Sequence, residues 1–103
     1  MTRVRLGELS DLSEGTGFRV EVGDSRLAVF RVGDSVYALG DRCSHAEASL
    51  SEGEVFDGEV ECPRHGATFD LESGRPTALP ASKPVPTYEV SIESGWVFVE
   101  VED

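Results

Sequence analysis

The spacing of glycine and proline constrains this chain more than any other feature. Eleven glycines and five prolines are spread through 103 residues and cut them into short pieces. The longest stretch free of both runs from Asp41 to Glu52, twelve residues, and no other reaches ten. A helix needs a costly first turn and several more to persist, so helices have almost nowhere to form. Between the breakers lie runs rich in Val, Phe, Tyr and Ile. Phe18-Arg19-Val20-Glu21-Val22 alternates apolar and charged residues, the period of a half-buried strand. Leu27–Val32 and Ser35–Leu39 flank Gly33-Asp34, which predicts a hairpin. Val55-Phe56 and Glu59-Val60-Glu61 flank Asp57-Gly58, the strongest type of short hairpin signal. Tyr88–Ile92 and Trp96–Val101 flank Glu93-Ser94-Gly95, a third hairpin. Many short strands at regular spacing indicate an all-β fold, a sandwich or barrel. There is no repeat, linker or low-complexity tract, so residues 1–103 read as one domain.

The chain has only two cysteines and two histidines, and they fall in two close pairs. These are Cys43-Ser44-His45 and Cys62-Pro63-Arg64-His65, with sixteen residues between His45 and Cys62. The Asp57-Gly58 hairpin lies in that interval. A hairpin returns its two ends to one place, so the two loops are expected side by side, a claw with two Cys-His prongs. Two thiolates and two imidazoles suit one tetrahedral zinc or a two-iron cluster. A single disulfide is the weaker alternative. It suits an exported chain, and Met1–Gly7 contains no apolar h-region, so no signal peptide is expected.

Charge excludes other partners. Asp and Glu number 20 against 9 Lys and Arg, a net charge of −11. Nucleic-acid backbones and anionic membrane surfaces both call for clustered cations, so neither is an expected partner. No run has the apolar length to cross a bilayer. A cytoplasmic monomer is the expectation. Glu47, Glu52 and Glu54 lie near the ligand pairs and are candidates for steering a basic partner.

The order Cys-X-His, spacer, Cys-X-X-His, followed by Gly66, resembles the Rieske iron–sulfur proteins, above all the small soluble bacterial Rieske ferredoxins. The resemblance extends to the strand pattern before Cys43, to Leu50-Ser51-Glu52-Gly53 and to the proline-rich Leu79–Pro86. It implies a Rieske fold: an antiparallel β-sandwich of short sheets with a small cluster-binding part, about residues 41–82. It implies one 2Fe-2S cluster per chain, with Cys43 and Cys62 on one iron and His45 and His65 on the other. The ring edges of His45 and His65 would then serve as the electron port, and the segment around Leu79-Pro80-Ala81 as a lid.

The departures from the high-potential branch also carry meaning. That branch has an extra cysteine in each loop where this chain has Ala48 and Arg64. It has serine and tyrosine hydroxyls donating to the cluster sulfurs where this chain has Ala67 and Phe69. Such donors favour the reduced, more negative state. Their replacement implies a potential near the low end of the Rieske range, about −150 to −100 mV. Trp96 and Phe98 are expected in the sheet core.

Both histidines are committed, so the chain has no mononuclear iron site and no nucleophile–base pair, and it has no dinucleotide motif. The expected role is therefore an electron carrier, not an enzyme. It would take electrons from an NAD(P)H-dependent flavoprotein reductase and pass them to a non-haem iron oxygenase. The alternatives are a Rieske protein of iron–sulfur assembly, the small subunit of a nitrite reductase and, from another class, a structural zinc module.

Overall fold

The structure is a computed structural model that describes residues 2–42, 48–64, 66–78 and 83–101. The elements in chain order are β1 (Thr2–Glu8), β2 (Gly17–Val22), β3 (Ser25–Val32), β4 (Ser35–Gly40), β5 (Val55–Phe56), β6 (Glu59–Glu61), β7 (Thr68–Asp70), β8 (Thr87–Glu93) and β9 (Trp96–Val101). Two 3-10 turns, Leu9–Asp11 and Leu50–Glu52, are the only helical pieces among the described residues. No helix among these residues is long and apolar enough to cross a membrane.

The strands form a six-stranded antiparallel sheet, β1-β9-β8-β4-β3-β2, and a three-stranded one, β5-β6-β7. The six-stranded sheet is curled. Its two halves pair through Ala38↔Tyr88 and Leu39↔Thr87, and beyond them the Gly40 amide donates to the Pro86 carbonyl (2.8 Å). Valines of β9 (Val97, Val99, Val101) pack against Leu27 and Val29 of β3 and Val36 and Ala38 of β4, which makes one core between the halves. A second core lies on the opposite face of β3 and β4. There Ala28, Phe30 and Leu39 meet Leu50, Val60, Phe69, Leu71 and Val85. Leu27-Ala28-Val29-Phe30 is therefore buried on both faces, which explains an unbroken apolar run where a surface strand would alternate.

The three expected hairpins form, with one adjustment. Glu93 pairs with Trp96, so the last turn is Ser94-Gly95 alone. Ser94 and Gly95 have φ of 51° and 82°, and Asp57 and Gly58 have 51° and 75°. Both turns therefore have positive φ at both central residues, the type I′ geometry that matches strand twist. A fourth hairpin, β2–β3, turns at Gly23-Asp24.

Trp96 and Phe98 are not in the core. The valines between them point inward, and the two rings lie half-buried on the opposite face of β9. Arg3 covers the Phe98 ring with its guanidinium carbon 4.0 Å from the centroid, and Arg5 covers Trp96 at 4.6 Å. The cationic side chains of edge strand β1 shield these rings from water.

Candidate metal centre

Three short segments converge on the β5-β6-β7 side of the molecule, and hydrogen bonds close the neck of each. The first begins at the end of β4. The amide of Asp41 donates to the Arg26 carbonyl of β3 (2.9 Å), and Leu50 N–H donates to the Asp41 carbonyl (2.7 Å). An antiparallel bridge, Arg42↔Ser49, completes the closure. The Asp41 side chain is fully buried. Its Oδ2 accepts from the Ser49 hydroxyl (2.5 Å) and its Oδ1 from the Ser51 amide (2.9 Å).

The second segment follows β6. Cys62 N–H donates to the Ala67 carbonyl (2.7 Å) and Gly66 N–H returns to the Cys62 carbonyl (3.2 Å). Gly66 has φ of 74°, which lets the chain reverse there without a Cβ clash. The two segments are held tightly against each other. Glu61 N–H donates to the Glu54 carbonyl (2.9 Å), and a Cβ on Gly53 would fall well inside 3.0 Å of the Glu61 carbonyl oxygen.

A third segment leaves β7. Thr77 N–H donates to the Thr68 carbonyl (2.7 Å), and the two threonine hydroxyls lie 2.6 Å apart. On its far side Val85 is buried and donates its amide to the Gly74 carbonyl (2.9 Å). Beside it Asp70 accepts from Ser73 N–H (2.8 Å), and that backbone bond, ahead of a second from the Ser73 hydroxyl, holds the Asp70 carboxyl below its ordinary range.

Of the four expected ligands, Cys62 is described. It is 1% exposed and free, not disulfide-bonded, among Leu50, Val60, Ala67 and Phe69. Cys43, His45 and His65 lie outside the described residues, as do Glu47 and the expected lid at Leu79-Pro80-Ala81. Glu52, Glu54 and Arg64 are exposed, and Ala48 packs half-buried against the second core. Ala67 and Phe69, the two apolar residues from which the resemblance implies a low potential, are fully buried. A buried thiol at the neck of the second segment, beside a hydrogen-bonded first segment, fits a group with a thiolate and an imidazole from each prong. Sequence reading gave no sign of Asp41, whose role depends on donors eight and ten residues away.

A curled antiparallel β scaffold thus carries the buried Cys62 beside the hydrogen-bonded stem of the first loop. The sequence matches the family model described as Rieske [2Fe-2S] domain over residues 2–89, and the chain belongs to that family. It is 40% identical to the 3-phenylpropionate/cinnamic acid dioxygenase ferredoxin subunit of Escherichia coli strain K12, over 100% of this chain and 97% of that one. The ferredoxin of carbazole 1,9a-dioxygenase from Nocardioides aromaticivorans IC177 has the same fold. Its TM-score is 0.94 at 39% identity, covering 99% of this chain and 100% of that one. A ferredoxin solved in complex with the oxygenase of carbazole 1,9a-dioxygenase superposes with a TM-score of 0.89 at 42% identity, over 94% and 100%. This chain is thus an electron-transfer component with one 2Fe-2S cluster, and not itself a catalyst.

Proposed function

We propose that this protein is a low-potential one-electron carrier of the cytoplasm, acting as one Rieske domain spanning residues 1–103. Its cluster would be held by Cys43, His45, Cys62 and His65, all the cysteine and histidine the chain contains. When bound, the cluster supplies a single reversible electron step, and the surrounding residues orient the loops and exclude water. Electrons would come from an NAD(P)H-dependent flavoprotein reductase and pass to a non-haem iron oxygenase component. The full-length similarity to dioxygenase ferredoxin subunits carries this reading.

The experiment is reconstitution. Purified protein should contain two irons and two acid-labile sulfides per chain, and its reduced form should give an EPR spectrum with average g below the free-electron value. NADH and a flavoprotein reductase should bleach the visible absorption, and an aromatic-ring oxygenase component should restore it. Cys62→Ser should lose the normal spectrum. Colourless protein containing zinc, or a normally coloured Cys62→Ser variant, overturns the proposal.

A further inference from the structure

Asp41 is, with Thr68, one of two buried polar side chains among the described residues, and it is the one with a carboxyl group. Burying a carboxylate is costly unless hydrogen bonds compensate it, so its placement needs an explanation. Both oxygens are used. Oδ2 accepts a hydrogen bond from the Ser49 hydroxyl and Oδ1 one from the Ser51 amide, while the Ser49 and Ser51 hydroxyl oxygens lie 2.9 Å apart. The backbone of the same residue accepts from Leu50 and donates to β3. One residue thus ties the entry and the exit of the first loop to each other and to the central strand.

We propose that Asp41 is a positioning residue for the cluster. Its carboxyl group latches the stem of the first ligand loop by tying the entry at Asp41 to the exit at Ser49 and Ser51. The proposal rests on the cluster reading above and adds to it a residue that ligates nothing. The latch is separable from the carboxyl group by chemistry. In Asp41→Asn the amide oxygen can accept from Ser51 N–H and the amide nitrogen donate to the Ser49 oxygen, so the latch persists. In Asp41→Ala both bonds are lost, and Ser49→Ala removes one of them.

The test uses the cluster-loaded protein. Release of iron to a chelator is followed by loss of visible absorption. Asp41→Ala should release its cluster at least about tenfold faster, as expected for losing two hydrogen bonds of a buried carboxyl. Asp41→Asn, which can keep both bonds, should release it within about threefold of the unsubstituted rate. Ser49→Ala should speed release. Release from Asp41→Asn as fast as from Asp41→Ala overturns the positioning role. Unchanged release in Ser49→Ala, or in Asp41→Ala where it folds, overturns the latch. Iron-free unsubstituted protein instead overturns the cluster reading itself, a result visible before any variant is made.

Discussion

Replacing Gly53 by alanine tests how tightly the two prongs are joined. Gly53 has φ of −80° and ψ of 164°, extended backbone that any residue adopts, so its side-chain hydrogen is not required by conformation. The requirement is space. A Cβ there would overlap the Glu61 carbonyl oxygen and sit 3.1 Å from its carbon and 3.2 Å from the Leu50 oxygen. Glu61 is no flexible obstacle, because it pairs with Thr68 across β6–β7 and donates to Glu54. Accommodation must shift backbone, at a typical overpacking cost of about 1–3 kcal/mol. It also strains the Glu61–Glu54 hydrogen bond, worth about 1 kcal/mol. Together these give about 2–4 kcal/mol. If the unfolding transition state releases that strain, unfolding accelerates roughly thirty- to a thousandfold. A cofactor-bearing chain does not give a clean equilibrium transition, so the assay is kinetic: loss of visible absorption and far-ultraviolet dichroism in fixed guanidinium. Gly58→Ala is the comparator. It carries a positive φ of 75° but meets no atom within 4 Å, so it should cost only about 1 kcal/mol. If Gly58→Ala unfolds faster than Gly53→Ala, the close approach of the prongs is not what the structure indicates.

Phe69→Tyr and Ala67→Ser each place a hydroxyl at a buried apolar position, and each should raise the reduction potential from the expected value of about −150 to −100 mV. Redox titration checks both, and a clearly positive potential in the unsubstituted protein would refute the starting value. Asp70 has a lowered folded pKa, so it adds stability above its ordinary value of 3.8, and that contribution is lost as pH falls through the folded value. Asp70→Asn should therefore melt below the unsubstituted protein at pH 7, and the gap should close below about pH 3.8 in thermal scans. Arg3→Ala removes the cover over Phe98 and an exposed ion pair with Glu93, and denaturant unfolding should show a loss of about 0.5–1 kcal/mol.

Turn chemistry made the hairpins legible, because Gly-Asp, Asp-Gly and Ser-Gly pairs fit few other local structures. The ligand pattern was legible because it uses every cysteine and histidine in the chain. Strand β1 was open to the same reading: Arg3-Val4-Arg5-Leu6 alternates, but the alternation breaks where the register shifts between Arg5 and Gly7. Strand β7 has three residues, too few for any period to register. The error at Trp96 and Phe98 has a different cause. Both faces of β9 are apolar, so alternation fixes which residues share a face and not which face is covered. Arginines almost a chain length away in β1 settle that. Asp41 is the same kind of case, since nothing local marks an aspartate before a loop as buried.

These non-local ties bear on how the carrier performs. β3 packs into both cores, and the Arg26 carbonyl on it holds the Asp41 amide, so the first prong inherits its position from the most buried strand. The second prong is tied to the first by the Glu61–Glu54 bond and by contact at Gly53. Dipoles fixed in this way need little rearrangement when charge arrives, which is what a rapid one-electron carrier requires. The aromatic–arginine face of β9 belongs to the other side of the other core. It contributes stability there, on the face turned away from the core that the prongs share, so substitutions at Phe98 should change melting while leaving the midpoint potential in place.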